Sequence, residues 1–313
     1  MSRLPTLLAL AGLLAAAAVL GLAFGSAESP TREIVLEIRL PRVVLGMLVG
    51  AGLATAGALL QALLQNPLAD PFLLGISGGA ALGGVAAVAL GGGALLGLSV
   101  PALAFAGALG ATALLYAIAA AGGRAPAHSL LLTGVVFNAF ASSVIVFLTT
   151  AVELNRVAGV FLWLIGSIRL VDDAMIACVA ALIGLGLGVG LYYAYSLNLL
   201  TQGDEAAAHL GVDVPRVRRH VLLATALMIG ASVAVSGIVG FVGLIVPHLL
   251  RLVVGADHRV LIPASALFGA ALVTSADTLA RTVLAPTELP VGAFTALIGG
   301  PLFLWLLRRE LSR

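Results

Sequence analysis

Long apolar runs alternate with short polar interruptions along the whole chain, and this pattern predicts about ten membrane-spanning helices. A run of roughly 20 apolar residues crosses the hydrocarbon core of a bilayer as a helix, whereas a membrane barrel shows short alternating segments. We therefore predict an all-α polytopic membrane protein. The predicted spans are 4–24, 43–64, 72–90, 100–120, 129–152, 174–197, 221–235, 239–254, 260–281 and 291–307.

Glycines and prolines subdivide this pattern. The second predicted span contains Gly46, Gly50 and Gly57, and small residues at such spacings let two helix backbones approach closely. We read the charged segment 28–42 before it as a connection outside the spans. The segment after it, QNPLADP, contains two prolines and should break the helix.

Two further stretches fall between spans. Residues 153–173 are too charged for a clean span, and within them we predict a short interfacial helix at 161–168 anchored by Trp163. The polar stretch 201–220 lies far inside the apolar chain and should be outside the bilayer.

The stretch 201–220 predicts two short helices joined by a glycine. Residues 205–210 are helix formers, and Gly211 can end that helix in a left-handed conformation. Asp213 can cap a second helix that tolerates Pro215 in its first turn. The pattern alone leaves two interpretations open, an interfacial connector between spans and a docking element for a soluble partner.

The distribution of arginine predicts the orientation in the membrane. An even number of spans puts both termini on one side, and placing them in the cytoplasm leaves ten arginines inside and six outside. The ten are Arg3, Arg124, Arg216, Arg218, Arg219, Arg251, Arg259, Arg308, Arg309 and Arg313, and the six are Arg32, Arg39, Arg42, Arg156, Arg169 and Arg281. This orientation also puts the stretch 201–220 in the cytoplasm.

Composition excludes several classes of protein. The chain is 61% hydrophobic and 10% charged with a mean hydropathy of +1.16, whereas soluble domains are usually about 45–50% apolar. It contains no lysine, which excludes a Walker A nucleotide loop, so any ATP must bind to another chain. The single Cys178 forms no intrachain disulfide. We assign no catalytic residue, metal site or nucleic-acid partner to this chain.

Four separated blocks together resemble the FecCD-type permease subunits of ABC importers for ferric siderophores, haem and cobalamin. They are RLPR at 39–42 with GAGLATAGALLQALLQNPLADPFLLGISGGA at 50–80, SGIVGFVGLIVPHLLRLVVGADHR at 236–259, ADTLAR at 276–281, and ELPVGAFTALIGGPLFLWLL at 288–307. EAAAHLG at 205–211 also resembles the cytoplasmic signature that ABC import permeases share.

The resemblance implies a single permease domain over residues 1–313, multi-pass in the inner membrane, with a cytoplasmic coupling loop at 201–220. It implies a homodimer with the transport pathway on its axis, and two ATP-binding cassette subunits that hold ATP and Mg. A periplasmic or lipid-anchored binding protein would deliver the cargo, and membrane lipid surrounds the complex. The implied ATPase-coupling residues are Glu205, Ala206, Ala207, Leu210, Gly211 and Val212. Ala206 and Ala207 are small enough to seat in a groove of the ATPase.

The same resemblance suggests three arginines for binding-protein docking. Arg39, Arg42 and Arg281 match positions at which family members present arginines to acidic knobs on the binding protein. The alternative is snorkelling near the headgroups or local pairing with Glu37 and Asp277.

The fifth predicted span carries an unusual polar load, and we hypothesise that it lines the pathway. Polar groups in lipid normally face protein or water. The predicted pathway residues are His128, Ser129, Thr133, Asn138 and Ser142. Hydrogen bonding between helices of one subunit is the alternative explanation for these residues.

Two other functions compete with ATP-driven import. An ion-coupled secondary transporter also uses broken, glycine-rich helices, but it usually carries ionisable residues at the membrane midplane, and the predicted spans have almost none. An intramembrane serine protease is the remote alternative, because Gly75–Gly78 around Ser77 matches a Gly-x-Ser-Gly pattern. The cargo leaves little trace in a permease, since the binding protein supplies the affinity.

Overall fold

The structure is a computed structural model that describes residues 3–26, 31–72, 74–89, 91, 100–120 and 126–311. Every regular element in these ranges is helical, which confirms the all-α prediction. The helices are α1 (Arg3–Ala23), α2 (Leu40–Leu63), α3 (Ile76–Ala89), α4 (Val100–Ala119), α5 (Ala127–Ala151), α6 (Leu154–Leu164), α7 (Asp173–Tyr192), α8 (Ala194–Leu200), α9 (Asp204–His209), α10 (Val214–Ser236), α11 (Val242–Val254), α12 (His258–Thr282) and α13 (Val291–Leu311). A π-helical segment, Ile34–Arg39, leads directly into α2.

Seven of the described helices are long and apolar enough to cross a membrane. They are α1, α2 with its π-helical extension, α4, α5, α7, α10 and α12. Three shorter apolar helices, α3, α11 and α13, coincide with the third, eighth and tenth predicted spans. The location of the termini stays a prediction, and Arg124 and Arg313 lie outside the described residues.

Two sequence-based boundaries were wrong. The connection predicted over 28–42 is helical from Arg32 onwards, and its Arg39 Nη1 donates to the carbonyls of Leu22 and Ala23 at the end of α1, at 2.9 and 2.7 Å. These bonds let a charged side chain enter the protein interior. The predicted sixth span is divided at Tyr193 into α7 and α8.

Trp163 is a core residue rather than an interfacial anchor. It lies near the end of α6, is 5% exposed, and places its ring against Gly84 of α3, where a β-carbon would overlap the indole. The helix that contains it runs over 154–164 instead of 161–168. An indole that packs against helices of its own chain is not available to the membrane interface.

Helix α2 lies at the centre of the molecule, packed against α10, α11 and α12. The close approach predicted from its glycines is confirmed at two of them. A β-carbon on Gly50 would overlap the Gly269 carbonyl of α12, and one on Gly57 would overlap the Gly243 carbonyl of α11. In contrast, most residues of α1, α5 and α7 are not buried in this chain.

Candidate coupling and docking sites

The stretch 201–220 adopts the predicted helix–glycine–helix arrangement. Helix α9 covers Asp204–His209, and Gly211 has a φ of +86°, in the left-handed region. The Asp213 side chain accepts a hydrogen bond from the Arg216 backbone N–H at 3.1 Å, which caps α10 with Pro215 in its first turn. The second helix continues into the seventh predicted span, so the stretch is joined rigidly to the transmembrane part of the chain.

The predicted coupling residues divide into an exposed and a buried group. Glu205, Ala206, Leu210 and Gly211 are exposed, and Val212 is half-buried. Ala207 is fully buried in its own chain, so the expectation that it seats in a partner's groove is wrong. The turn folds back on α9, with Val212 N–H donating to the Ala207 carbonyl at 3.0 Å, and the Ala207 side chain belongs to the buried apolar core.

Asp204 anchors α9 to two other elements. Its carboxylate accepts from Arg218 Nη2 of α10 at 3.0 Å and from Gln65 Nε2, just beyond the end of α2, at 3.0 Å. The Arg218 side chain is buried, although the sequence suggested only that it lies where the chain enters lipid. Gln65 was missed, and its position at the start of QNPLADP was the only signal for it.

A second polar link joins α8 to the start of α12, and the sequence reading did not find it. Asn198 Nδ2 donates to Asp257 Oδ1 at 2.8 Å, and Asn198 Oδ1 accepts from the His258 backbone N–H at 2.8 Å. The His258 ring also contacts Asn198 Oδ1 through Nδ1 at 2.7 Å. Asp257 accepts from Arg259 N–H and so caps α12.

The three predicted docking arginines all bond to other residues of this chain, near the start of α2 and the end of α12. Arg42 pairs with Asp277 at 3.0 Å and with Glu288 at 2.7 Å, and Arg281 pairs with Asp277 at 3.0 Å. Arg39 and Arg281 are each 3% exposed, whereas the Glu288 side chain is 38% exposed. Local pairing with Asp277, the alternative considered from sequence, is present, and docking stays a prediction.

The polar residues predicted for the pathway lie on two faces of α5. His128 and Ser142 are exposed, on the same face as the exposed apolar side chains of Leu132 and Val135. Ser129, Thr133 and Asn138 are half-buried. Asn138 donates to the carbonyl of Phe72, and Thr133 donates to the carbonyl of Ser129. A hydrogen bond to the turn between α2 and α3 of the same chain therefore accounts for Asn138, and a pathway role for the five residues stays a prediction.

A largely apolar cavity of about 580 Å³ opens between α6, α11 and α13. Its lining includes Ile165, Phe241, Ala293 and, in the turn between α2 and α3, Asp70 and Phe72. Asp70 accepts from the Phe72 backbone N–H at 2.7 Å, and burial raises the pKa of its carboxyl to about 6.

The arrangement around Ser77 does not resemble a hydrolytic site. Its hydroxyl is buried and makes no hydrogen bond to any described residue, so no histidine in the described ranges contacts it as a base. The described residues also contain no cluster of three or more His, Cys, Asp or Glu side chains that could hold a metal ion.

Comparisons with known proteins agree over nearly the whole chain. The FecCD transport family matches residues 4–309. The hemin transport system permease protein HmuU of Yersinia pestis is 45% identical over 89% of this chain and 84% of the relative. The cobalamin import system permease protein BtuC of Halobacterium salinarum is 46% identical over 92% of this chain and 76% of the relative. An inward-facing metal-chelate type ABC transporter has a TM-score of 0.88 at 30% identity, covering 98% of this chain and 99% of that one.

Proposed function

The chain belongs to the FecCD transport family, and we propose that it is the permease through which an ABC importer moves a metal-bearing chelate across the inner membrane. The observation that carries this proposal is the match over residues 4–309, which includes every described apolar helix. Relatives that import hemin and cobalamin support haem, cobalamin or another metal chelate as the cargo. The cargo would come from a periplasmic or lipid-anchored binding protein.

ATP hydrolysis belongs, in this proposal, to two separate ATPase subunits that bind ATP and Mg. The absence of lysine supports this division of labour, because a phosphate-binding loop needs that side chain. Helix α9 is the proposed contact with the ATPase. Its exposed Glu205 and Ala206, together with Leu210 just after it at 63% exposure, give it a small solvent-exposed surface.

Uptake into liposomes tests the proposed function. The permease, reconstituted with its ATPase and binding protein, should accumulate haemin, cobalamin or a ferric chelate when ATP is supplied to the ATPase side. A non-hydrolysable ATP analogue should abolish accumulation, whereas dissipating proton and sodium gradients should not. Accumulation that ignores ATP and collapses with either gradient would instead identify an ion-coupled secondary transporter.

Gly211→Val should uncouple the ATPase with little effect on folding. At a φ of +86° valine costs about 1–2 kcal/mol, but its β-carbon would have no neighbour within 4 Å, so the change acts on the turn after α9 and not on packing. We expect uptake to fall while the protein still inserts in the membrane. Copurification of the ATPase and cargo-stimulated hydrolysis are the measurements.

Gly211→Asn is the matched control for that variant. Asparagine tolerates the left-handed conformation far better than valine and should keep most of the coupling. Ala206→Trp tests the exposed face of α9 separately. Ala206 is chosen because a tryptophan at the buried Ala207 would disrupt the chain's own core. If both Gly211→Val and Ala206→Trp kept wild-type assembly with the ATPase and wild-type ATP hydrolysis, the stretch 201–220 would be only a surface connector.

Docking of the binding protein is proposed at the cluster formed by Arg42, Asp277, Arg281 and Glu288. Because the arginines are buried or paired in this chain, an acidic partner would have to compete with Glu288 for Arg42. The Glu288 side chain is 38% exposed, so solvent partly screens its pair with Arg42 and the pair is worth only about 0–1 kcal/mol, which makes such an exchange energetically accessible.

Two copies of the chain are proposed to enclose the pathway between them. The support is the apolar cavity open beside α13 and the exposed face of α5 with His128 and Ser142. With Cys178 replaced by serine, single cysteines at positions 128, 132 and 142 should crosslink to the same position of the second copy. Absence of crosslinking at all three positions, with crosslinks along α1 instead, would move the axis elsewhere.

A further inference from the structure

Helices α2 and α12 pack side by side, and both ends of the pair carry polar links to other elements. At one end Arg42 of α2 pairs with Asp277 of α12. At the other end Gln65 follows α2 and His258 begins α12. The pair therefore connects the arginine cluster to the region of α9.

Both links at the second end lead to the coupling helix. Gln65 Nε2 donates to Asp204, the first residue of α9. Asn198 lies on α8, which ends four residues before α9 begins, and it bonds to Asp257 and His258 at the start of α12. One flank of α9 is thus tied to α2 and the element preceding it is tied to α12.

The two helices contact each other too closely to slide. Gly50 and Gly269 approach so that a β-carbon on either would overlap the carbonyl of the other. Backbones in such contact interlock and resist deformation, so a displacement at one end is carried to the other. A salt bridge between Arg42, whose side chain is 13% exposed, and the buried Asp277 joins the far ends of the two helices.

We propose that Gln65 and Asn198 are positioning residues that fasten the coupling helix α9 to the α2–α12 pair, so that the ATPase stroke reaches the arginine cluster. The inference rests on the proposed function. In this proposal, the two side-chain amides act through their bonds to Asp204, Asp257 and His258, and these bonds decide whether motion of α9 is transmitted.

The Asn198 link can be broken and then restored. Asn198→Asp removes the amide donor. It puts a carboxylate oxygen where the amide nitrogen now lies, 2.8 Å from Asp257 Oδ1. Adding Asp257→Asn returns the donor from the other side, and the new carboxylate at position 198 still accepts from His258 N–H. Asp257 Oδ1 accepts both the bond from Asn198 and that from the Arg259 backbone N–H, which caps α12, so an asparagine at position 257 must turn its amide until the nitrogen donates to position 198 and the oxygen caps the helix. The melting temperature of the double variant checks that α12 stays intact.

Gln65→Gly provides an independent variant at the other link. Gln65 has a φ of +50°, and glycine adopts that conformation more readily than glutamine, so the backbone is relieved rather than strained. The change removes only the amide that bonds to Asp204, which keeps its pair with Arg218.

The readout is a distance at the arginine end that needs no knowledge of the cargo. Leu36 is 48% exposed in the π-helical extension of α2, and a spin label at a cysteine there, with Cys178 replaced by serine, reports the separation between two copies. In the wild-type complex with its ATPase, ATP with vanadate should shift this distance. Asn198→Asp and Gln65→Gly should each abolish the shift while the ATPase still copurifies and hydrolyses ATP, and the Asn198→Asp/Asp257→Asn double variant should restore it.

Three results would overturn the inference. They are a wild-type distance that ATP and vanadate leave unchanged, single variants that keep the full shift, and a double variant no better than Asn198→Asp alone. Failure of the wild-type chain to copurify with any ATPase is a different result, because it overturns the proposed function itself.

Discussion

Replacing Asp277 by alanine is expected to destabilise the protein by about 3–5 kcal/mol, the usual result of removing one partner from a buried ion pair. Asp277 is 2% exposed and is the carboxylate that both Arg42 and Arg281 contact. Without it, the Arg281 guanidinium stays inside the protein, where the described residues give it long hydrogen bonds of 3.4–3.5 Å to the carbonyls of residues 277 and 21 and to Thr278 Oγ1. We expect a marked fall in the melting temperature of the purified protein and in its level in the membrane.

Glu288→Ala is the matched control, since it removes the other carboxylate of the same cluster. Glu288 is partly exposed, and Arg42 keeps its bidentate contact with Asp277, so the loss should be no more than about 1 kcal/mol. Equal losses for Asp277→Ala and Glu288→Ala would mean that burial of the pair does not dominate its energetics.

Replacing Gly57 by alanine is also expected to destabilise the protein strongly, although it adds a single methyl group. The β-carbon would overlap the Cα, carbonyl carbon and carbonyl oxygen of Gly243, all of which are backbone atoms that cannot rotate away. Overpacking a well-filled interior costs about 1–3 kcal/mol and occasionally more, and here relief requires α2 and α11 to separate. Little folded protein should be recovered from membranes.

Gly184→Ala in α7 is not expected to destabilise the protein and should stabilise it slightly. Gly184 is exposed and a β-carbon there meets nothing within 4 Å, so alanine gains up to about 1 kcal/mol of helix propensity at no packing cost. Recovery and melting temperature should be unchanged or raised for this variant. If Gly57→Ala behaved like Gly184→Ala, the close approach of α2 and α11 would not limit stability.

The sequence by itself determined the features that depend on local chemistry. The apolar runs place the long helices because a spanning segment must be both apolar and of sufficient length. The short helix α9, the left-handed Gly211 and the Asp213 cap follow from residues within a few positions of one another. Small residues along α2 likewise indicated close packing, although not which helix is approached.

Only the tertiary structure decided which side chains meet. Arg42 and Asp277 are 235 residues apart, and Gln65 and Asp204 are 139 apart, so no local pattern links them. Ala206 and Ala207 are adjacent and chemically identical, yet one is exposed and the other buried, because α9 packs one face against α8 and α10. Helix periodicity predicts that a face exists, but which face is covered depends on the packing of elements distant in the chain.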